Sequence, residues 1–269
     1  MHERLLQEGC GEPPLLLLHG FTGSADAWRD LIPLLGKRTR ALAIDLPGHG
    51  PSGGEGFFPD RITLAACVAG VRQRLDELDI QDCVLLGYSM GGRVALRFAL
   101  DHPARVSGLV LESASFGIHD PEARVARRKA DEALAEKLLG DGIAAFVDAW
   151  MRQPLFASQA ALPGALLSRE KAMRMDHRPE GLAACLRGLG QGSVPPVWEK
   201  LPSLRMPVLL LAGEGDAEYR DAVRKAAPLI QRARVEIISG AGHTIHLEQP
   251  SAFAAAVESF LVENQGESR

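Results

Sequence analysis

Short apolar runs alternate with stretches of helical periodicity along most of this chain. Residues 14–18, 40–45, 83–87 and 106–112 are dominated by Val, Ile, Leu and Ala, and each gives way to a segment rich in Gly, Pro or polar residues. Runs of this length, bounded by turn residues, read as strands buried on both faces of a sheet. The pattern returns late in the chain, with 208–212 and 235–238 as strands, 220–230 as a helix and 250–263 as a closing helix with Pro250 in its first turn. Strand and helix in alternation predict an α/β domain: a mostly parallel sheet with helices on both faces.

Residues 116–194 break this alternation. They are almost entirely helical in pattern, with Gly and Pro interruptions and no convincing strand. A helical segment set between two halves of one sheet, after the fourth recognisable strand, is expected to form a lid inserted into a single domain spanning 1–269. Ligands in open α/β sheets bind outside the carboxyl ends of the strands, so the loops there are where chemistry is sought and where a lid closes.

Composition narrows the partners. The 269 residues are 46% hydrophobic and 24% charged, ordinary for a packed globular chain, and the net charge of −4 supplies no basic field for nucleic acid or an anionic membrane. Residues 1–8 lack the apolar stretch of a signal peptide, and no apolar run approaches the length of a membrane span, so a cytoplasmic protein is expected. Cys10, Cys67, Cys83 and Cys185 are far apart, without C-x-x-C or Cys/His metal spacing. Neither a disulfide framework nor a metal site is expected. Nothing in the pattern fixes an oligomeric state, and a monomer suffices.

The third strand runs directly into Gly87-Tyr88-Ser89-Met90-Gly91 and then a helical stretch. Strand, tight turn with flanking glycines, and helix is the order of a nucleophile elbow, which pushes a serine out above the sheet at a helix N-terminus. A serine hydroxyl needs a neighbour to take its proton and a carboxylate to orient that neighbour. Of the eight histidines, His243 alone lies in a Gly-rich loop between the last strand and the last helix. It is the expected base, with His246 as rival; His19 and His49 come too early in the chain. The strand at 208–212 opens into Gly213-Glu214-Gly215-Asp216, making Asp216 the expected acid, with Glu112 as its main competitor. Backbone N–H groups of Met90, after the serine, and of Phe21, in the loop after the first strand, are expected to form an oxyanion hole.

This order of elements and residues resembles the α/β-hydrolase fold, which hosts many reactions. Within it, the elbow Gly-Tyr-Ser-Met-Gly-Gly-Arg at 87–93 is similar to that of the 2-succinyl-6-hydroxy-2,4-cyclohexadiene-1-carboxylate synthase family. The likeness covers most of the chain. It includes Leu46-Pro47-Gly48-His49-Gly50, the lid run 122–127 with Asp131, Trp150 leading to residues 154–158, Arg174, residues 179–183 and 186–190, and Gly242-His243. The resemblance implies a lyase of menaquinone biosynthesis that eliminates pyruvate from a polycarboxylate cyclohexene without metal or organic cofactor. In that reading Ser89, activated by His243, takes a ring proton and is not acylated.

A polyanionic substrate calls for fixed positive charge, and arginine suits carboxylates. Arg93 falls one helical turn after Ser89 and so faces the site. The resemblance implies substrate contacts for Arg127 and Arg174 in the lid, with Arg124, Arg128 and Arg169 as register rivals, and pocket positions for Tyr88, Trp150 and Phe156. Eleven Lys/Arg against ten Asp/Glu between 117 and 190 leave no bulk field in the lid, so the case rests on single residues. Truncating Arg93, Arg127 or Arg174 is expected to weaken turnover while sparing the fold. Two other readings share the same serine: an ester or C–C bond hydrolase working through an acyl-enzyme, and an inactive ligand receptor on this fold.

Overall fold

The computed structural model describes residues 5–50 and 58–265, so residues 1–4 of the stretch read for a signal peptide, and both ends of the 1–269 domain, lie outside the described residues. Seven strands form one sheet: β1 (Leu5–Glu8), β2 (Leu15–Leu18), β3 (Ala41–Ile44), β4 (Cys83–Tyr88), β5 (Val106–Glu112), β6 (Val208–Gly213) and β7 (Ala233–Ile238), in the spatial order β1-β3-β2-β4-β5-β6-β7. All neighbours are parallel except β1, which pairs antiparallel with β3 at the edge.

The all-leucine β2 shows why the central strands are apolar throughout. Leu16 and Leu18 pack into the core on one face of the sheet, Leu15 and Leu17 into the core on the other, and all four are fully buried. Helices α1 (Leu64–Glu77) and α2 (Met90–Asp101) cover the first face, while α8 (Pro250–Gln265) covers the second. β1 was not expected, because Leu5-Leu6-Gln7-Glu8 is too short and too polar at one end to read as a strand; it forms where β3 offers an open edge. The expected helix at 220–230 begins earlier, as α6 (Ala217–Ala226), and Pro228 tightens its end into a 3₁₀ turn at Ala227–Leu229.

Between β5 and β6 stand α3 (Pro121–Trp150), a 3₁₀ segment at Pro154–Ala161, α4 (Gly164–Met175) and α5 (Pro179–Leu189). α3 is kinked at Gly142, whose φ of 79° suits glycine. These helices have a small core of their own, in which Ala135, Leu138, Phe146 and Val147 of α3 meet Leu182, Ala183 and Leu186 of α5. Phe21, from the loop after β2, packs against that core and ties it to the sheet top.

Candidate active site

Ser89 sits between β4 and α2 with φ 50° and ψ −106°, a strained conformation that turns the chain sharply. The turn is possible because α2 lies almost against β2: a Cβ at Gly91 would come within 2.2 Å of the Leu18 carbonyl oxygen. Ser89 Oγ is 3.1 Å from His243 Nε2, and His243 Nδ1 is 2.6 Å from Asp216 Oδ2. Asp216 and His243 are both buried. With the proton on Nδ1, Asp216 accepts from Nδ1–H, and Nε2 is left to accept from the serine hydroxyl, the geometry that a serine–histidine–acid triad requires.

The rival residues form a separate pair. His246 Nδ1 lies 2.9 and 2.8 Å from the two oxygens of Glu112, which also accepts the His246 backbone N–H, and the pair is buried. It anchors α7 (Ile245–Glu248), immediately after His243. Two more contacts steady the histidine loop. Glu248 accepts from the backbone N–H groups of Gly242 at 2.6 Å and Thr244 at 3.1 Å, while Thr244 Oγ1 is bonded to Tyr88 Oη at 2.8 Å and accepts from Gln159 Nε2 at 3.0 Å.

A cleft opens above Ser89. Phe21, Tyr88, Met90, Arg93, Arg127, Trp150 and Phe156 all line it, together with His243. Among the described residues, neither the Phe21 nor the Met90 N–H donates a hydrogen bond, so both are free for an oxyanion. Arg93 is buried, and its Nη2 donates to the Leu189 carbonyl at 2.7 Å. Burial lowers its pKa, partly offset by Tyr219. The buried Arg93 Nε and Trp150 Nε1 reach no acceptor among the described residues. A site with unspent buried donors is suited to an anion.

The lid arginines differ. Arg127 is half-exposed and donates from Nε to the buried Asp131 at 2.8 Å; both line the cleft. Arg174 is buried, gives Nη1 to the Glu170 carboxylate at 2.7 Å, and is absent from the cleft lining. Truncating it would leave Glu170 buried and unpaired, and truncating Arg93 would strip the Leu189 carbonyl of its donor, so a cost in stability is expected of both changes. Among the rivals, Arg169 pairs with Asp30 at the surface, and Arg124 and Arg128 do not line the cleft. Asp131, Gln191, Tyr219 and Leu189 also line the cleft. Asp131 and Leu189 fall in runs that carry the resemblance, whereas Gln191 and Tyr219 stood in none, because only the folded chain brings them to the serine.

Behind Phe21 lies a second group of buried polar residues: His19, His49 and His177. Each accepts a backbone N–H on one ring nitrogen and lies within reach of a carbonyl on the other. Leu46 N–H donates to His19, Thr22 N–H to His49, and Gly50 N–H to His177. Burial lowers the pKa of His19 and of His177 to about 4, and lowers that of His49 well below the usual value. Among the described residues no cluster of His, Cys, Asp and Glu is arranged to hold a metal, and no helix is long and apolar enough to cross a membrane.

A serine elbow at the carboxyl edge of this sheet, with an acid and a histidine from later loops, defines an α/β hydrolase, and the alpha/beta hydrolase family model matches residues 15–256. The chain belongs, within that class, to the 2-succinyl-6-hydroxy-2,4-cyclohexadiene-1-carboxylate synthase family. It is 38% identical to a Bacillus subtilis protein provisionally given that name, over 92% of this chain and 89% of the relative. It is 35% identical to the Klebsiella pneumoniae synthase over 93% and 94%. The structure of MenH from S. aureus matches with a TM-score of 0.92 at 33% identity, covering 98% of this chain and 99% of that one. A Thermogutta terrifontis esterase matches with a TM-score of 0.84 at 26% identity, over 97% and 93%.

Proposed function

We propose that this protein is a carbon–oxygen lyase of menaquinone biosynthesis. It eliminates pyruvate from 2-succinyl-5-enolpyruvyl-6-hydroxy-3-cyclohexene-1-carboxylate, giving the 2,4-diene after which its relatives are named. Ser89 takes the proton at ring carbon 2, next to the succinyl ketone, as its own hydroxyl proton passes to His243 Nε2. Asp216 holds the imidazolium that results. The ketone oxygen gains charge as the enolate forms, and the Phe21 and Met90 N–H groups support it. Collapse of the enolate shifts the ring double bond and breaks the bond from carbon 5 to oxygen. Enolpyruvate leaves and, on taking a proton at carbon, becomes pyruvate. No water is consumed, and no acyl group rests on Ser89.

The observation that carries this reading is the pair of unspent buried donors, Arg93 Nε and Trp150 Nε1, in the same cleft as Ser89. An uncharged ester would leave the buried arginine unmatched, whereas a substrate with three carboxylates answers it. Arg127 adds charge at the cleft rim, and Tyr88 and Phe156 supply apolar walls. Arg174 acts at a distance, through the field its charge exerts on the Tyr88 phenol. The domain is one unit over 1–269 with 116–194 as its lid, works in the cytoplasm, and needs no partner beyond its small polycarboxylate substrate.

The test is product analysis with purified protein. Pyruvate release from the cyclohexene substrate, lost in Ser89→Ala, is expected. Rapid cleavage of a simple activated ester without pyruvate release would replace this reading with an acyl-enzyme hydrolase.

A further inference from the structure

Tyr219, in the first turn of α6, lines the cleft. Its ring lies 4.6 Å from that of His243, and its side chain is buried. Its hydroxyl oxygen accepts a 2.8 Å hydrogen bond from Gln191 Nε2, in the segment that follows α5. A phenol that accepts from an amide keeps its own O–H free to donate, and no acceptor for that O–H is present among the described residues. Gln191 and Tyr219 both line the cleft with Arg93 and Arg127.

We propose that Tyr219, oriented by Gln191, is a substrate-binding residue that donates its O–H to a substrate carboxylate held beside Arg93. This deepens the lyase reading and rests on it for the identity of the substrate. Neither side chain sat in a motif; the site arises because α6 starts directly after Asp216, and the turn after α5 reaches across to meet it.

With one Nη2 hydrogen spent on the Leu189 carbonyl, Arg93 keeps fewer of its N–H donors for a carboxylate, and a second donor in the same cleft adds to its grip. Tyr219 and Arg93 line the same cleft, and the charge of Arg93 acts on the phenol. Burial raises the pKa of its phenol, with Arg93 opposing, so the hydroxyl remains a donor across the working pH range. The competing role is tuning of His243 by ring contact, and it makes a different kinetic prediction.

The test compares wild type, Tyr219→Phe and Gln191→Leu by steady-state pyruvate release across pH, with thermal unfolding to confirm folding. The phenylalanine keeps the ring on His243 and removes only the donor. KM is expected to rise by at least about tenfold with kcat nearly unchanged, the result of losing a hydrogen bond to a charged group. Gln191→Leu should show a smaller rise in KM, and the double variant should show less than the product of the two effects. Unchanged KM in Tyr219→Phe, or a fall in kcat with a shifted pH profile at constant KM, overturns the proposal. If wild type releases no pyruvate, the lyase reading fails on its own account, and calorimetric titration with 2-succinylbenzoate decides the inference. Weaker binding by Tyr219→Phe than by wild type upholds it; equal binding, or none by either, overturns it.

Discussion

Asp216 and Glu112 offer the same group to a histidine, and what separates them is where the other imidazole nitrogen points. His243 turns Nε2 to Ser89, whereas the His246 ring lies against Trp28 at 4.4 Å and Tyr88 at 4.9 Å, inside the fold. Asp216→Asn is therefore expected to lower kcat by roughly three to four orders of magnitude through the wrong tautomer, while leaving stability nearly intact. Glu112→Gln should do the reverse, costing about 1–3 kcal/mol of stability as a buried hydrogen-bonded pair is disrupted, with most activity per folded molecule retained. Pyruvate release alongside urea unfolding distinguishes the two, and full turnover in Asp216→Asn would sink the triad. At this scale much was readable, because chain order alone puts the acid and base after the elbow. Arg174 was not: Glu170 and Arg174 stand four apart, a spacing that reads as an exposed helix pair, and only the packing of the lid buries them.

The loop that carries His243 shows how elements share the work. It is held by α7 through Glu248, by β4 through Tyr88 and by the lid segment at Pro154–Ala161 through Gln159, and Thr244 joins the last two. Close packing enforces this, since a Cβ at Gly242 would lie 2.1 Å from Ser158 Oγ. Thr244→Val keeps the shape and removes the shared oxygen, so the lid and Tyr88 lose their common hold on the residue next to the base. An approximately tenfold fall in kcat is expected, of the size that misplacing a reacting group produces, with a loss of about 1–3 kcal/mol in stability. Steady-state kinetics and thermal unfolding check it, and unaltered kcat would show that the loop is held by Glu248 alone. The central strands were legible because burial on both faces leaves an apolar run. The lid's helices were legible as helices, but which residue meets Thr244 depends on a 3₁₀ segment without apolar period.

Across the whole molecule, His19, His49 and His177 join three segments far apart in sequence: the loop after β2 that carries Phe21, the loop after β3 and the turn between α4 and α5. His177 Nε2 donates to the Thr22 carbonyl at 2.8 Å while its Nδ1 accepts from Gly50, and these roles require a neutral ring. With folded-state pKa values of about 4 for His19 and His177, against about 6.5 in the unfolded chain, the unfolded state binds more protons between those limits. Stability is then complete above pH 6.5 and falls as pH drops toward 4. The loss is roughly 2–3 kcal/mol for each of these two histidines, and together they consume a large part of an ordinary domain's 5–15 kcal/mol. Acid should therefore loosen the sheet top and the lid as one unit before the carboxylates titrate. Urea unfolding at pH 7 and pH 5 measures the slope, and His177→Asn, which removes one titrating ring, should flatten it by about one proton's share in that window. A variant as acid-sensitive as wild type would mean that these rings are not what couples pH to the stability of the fold.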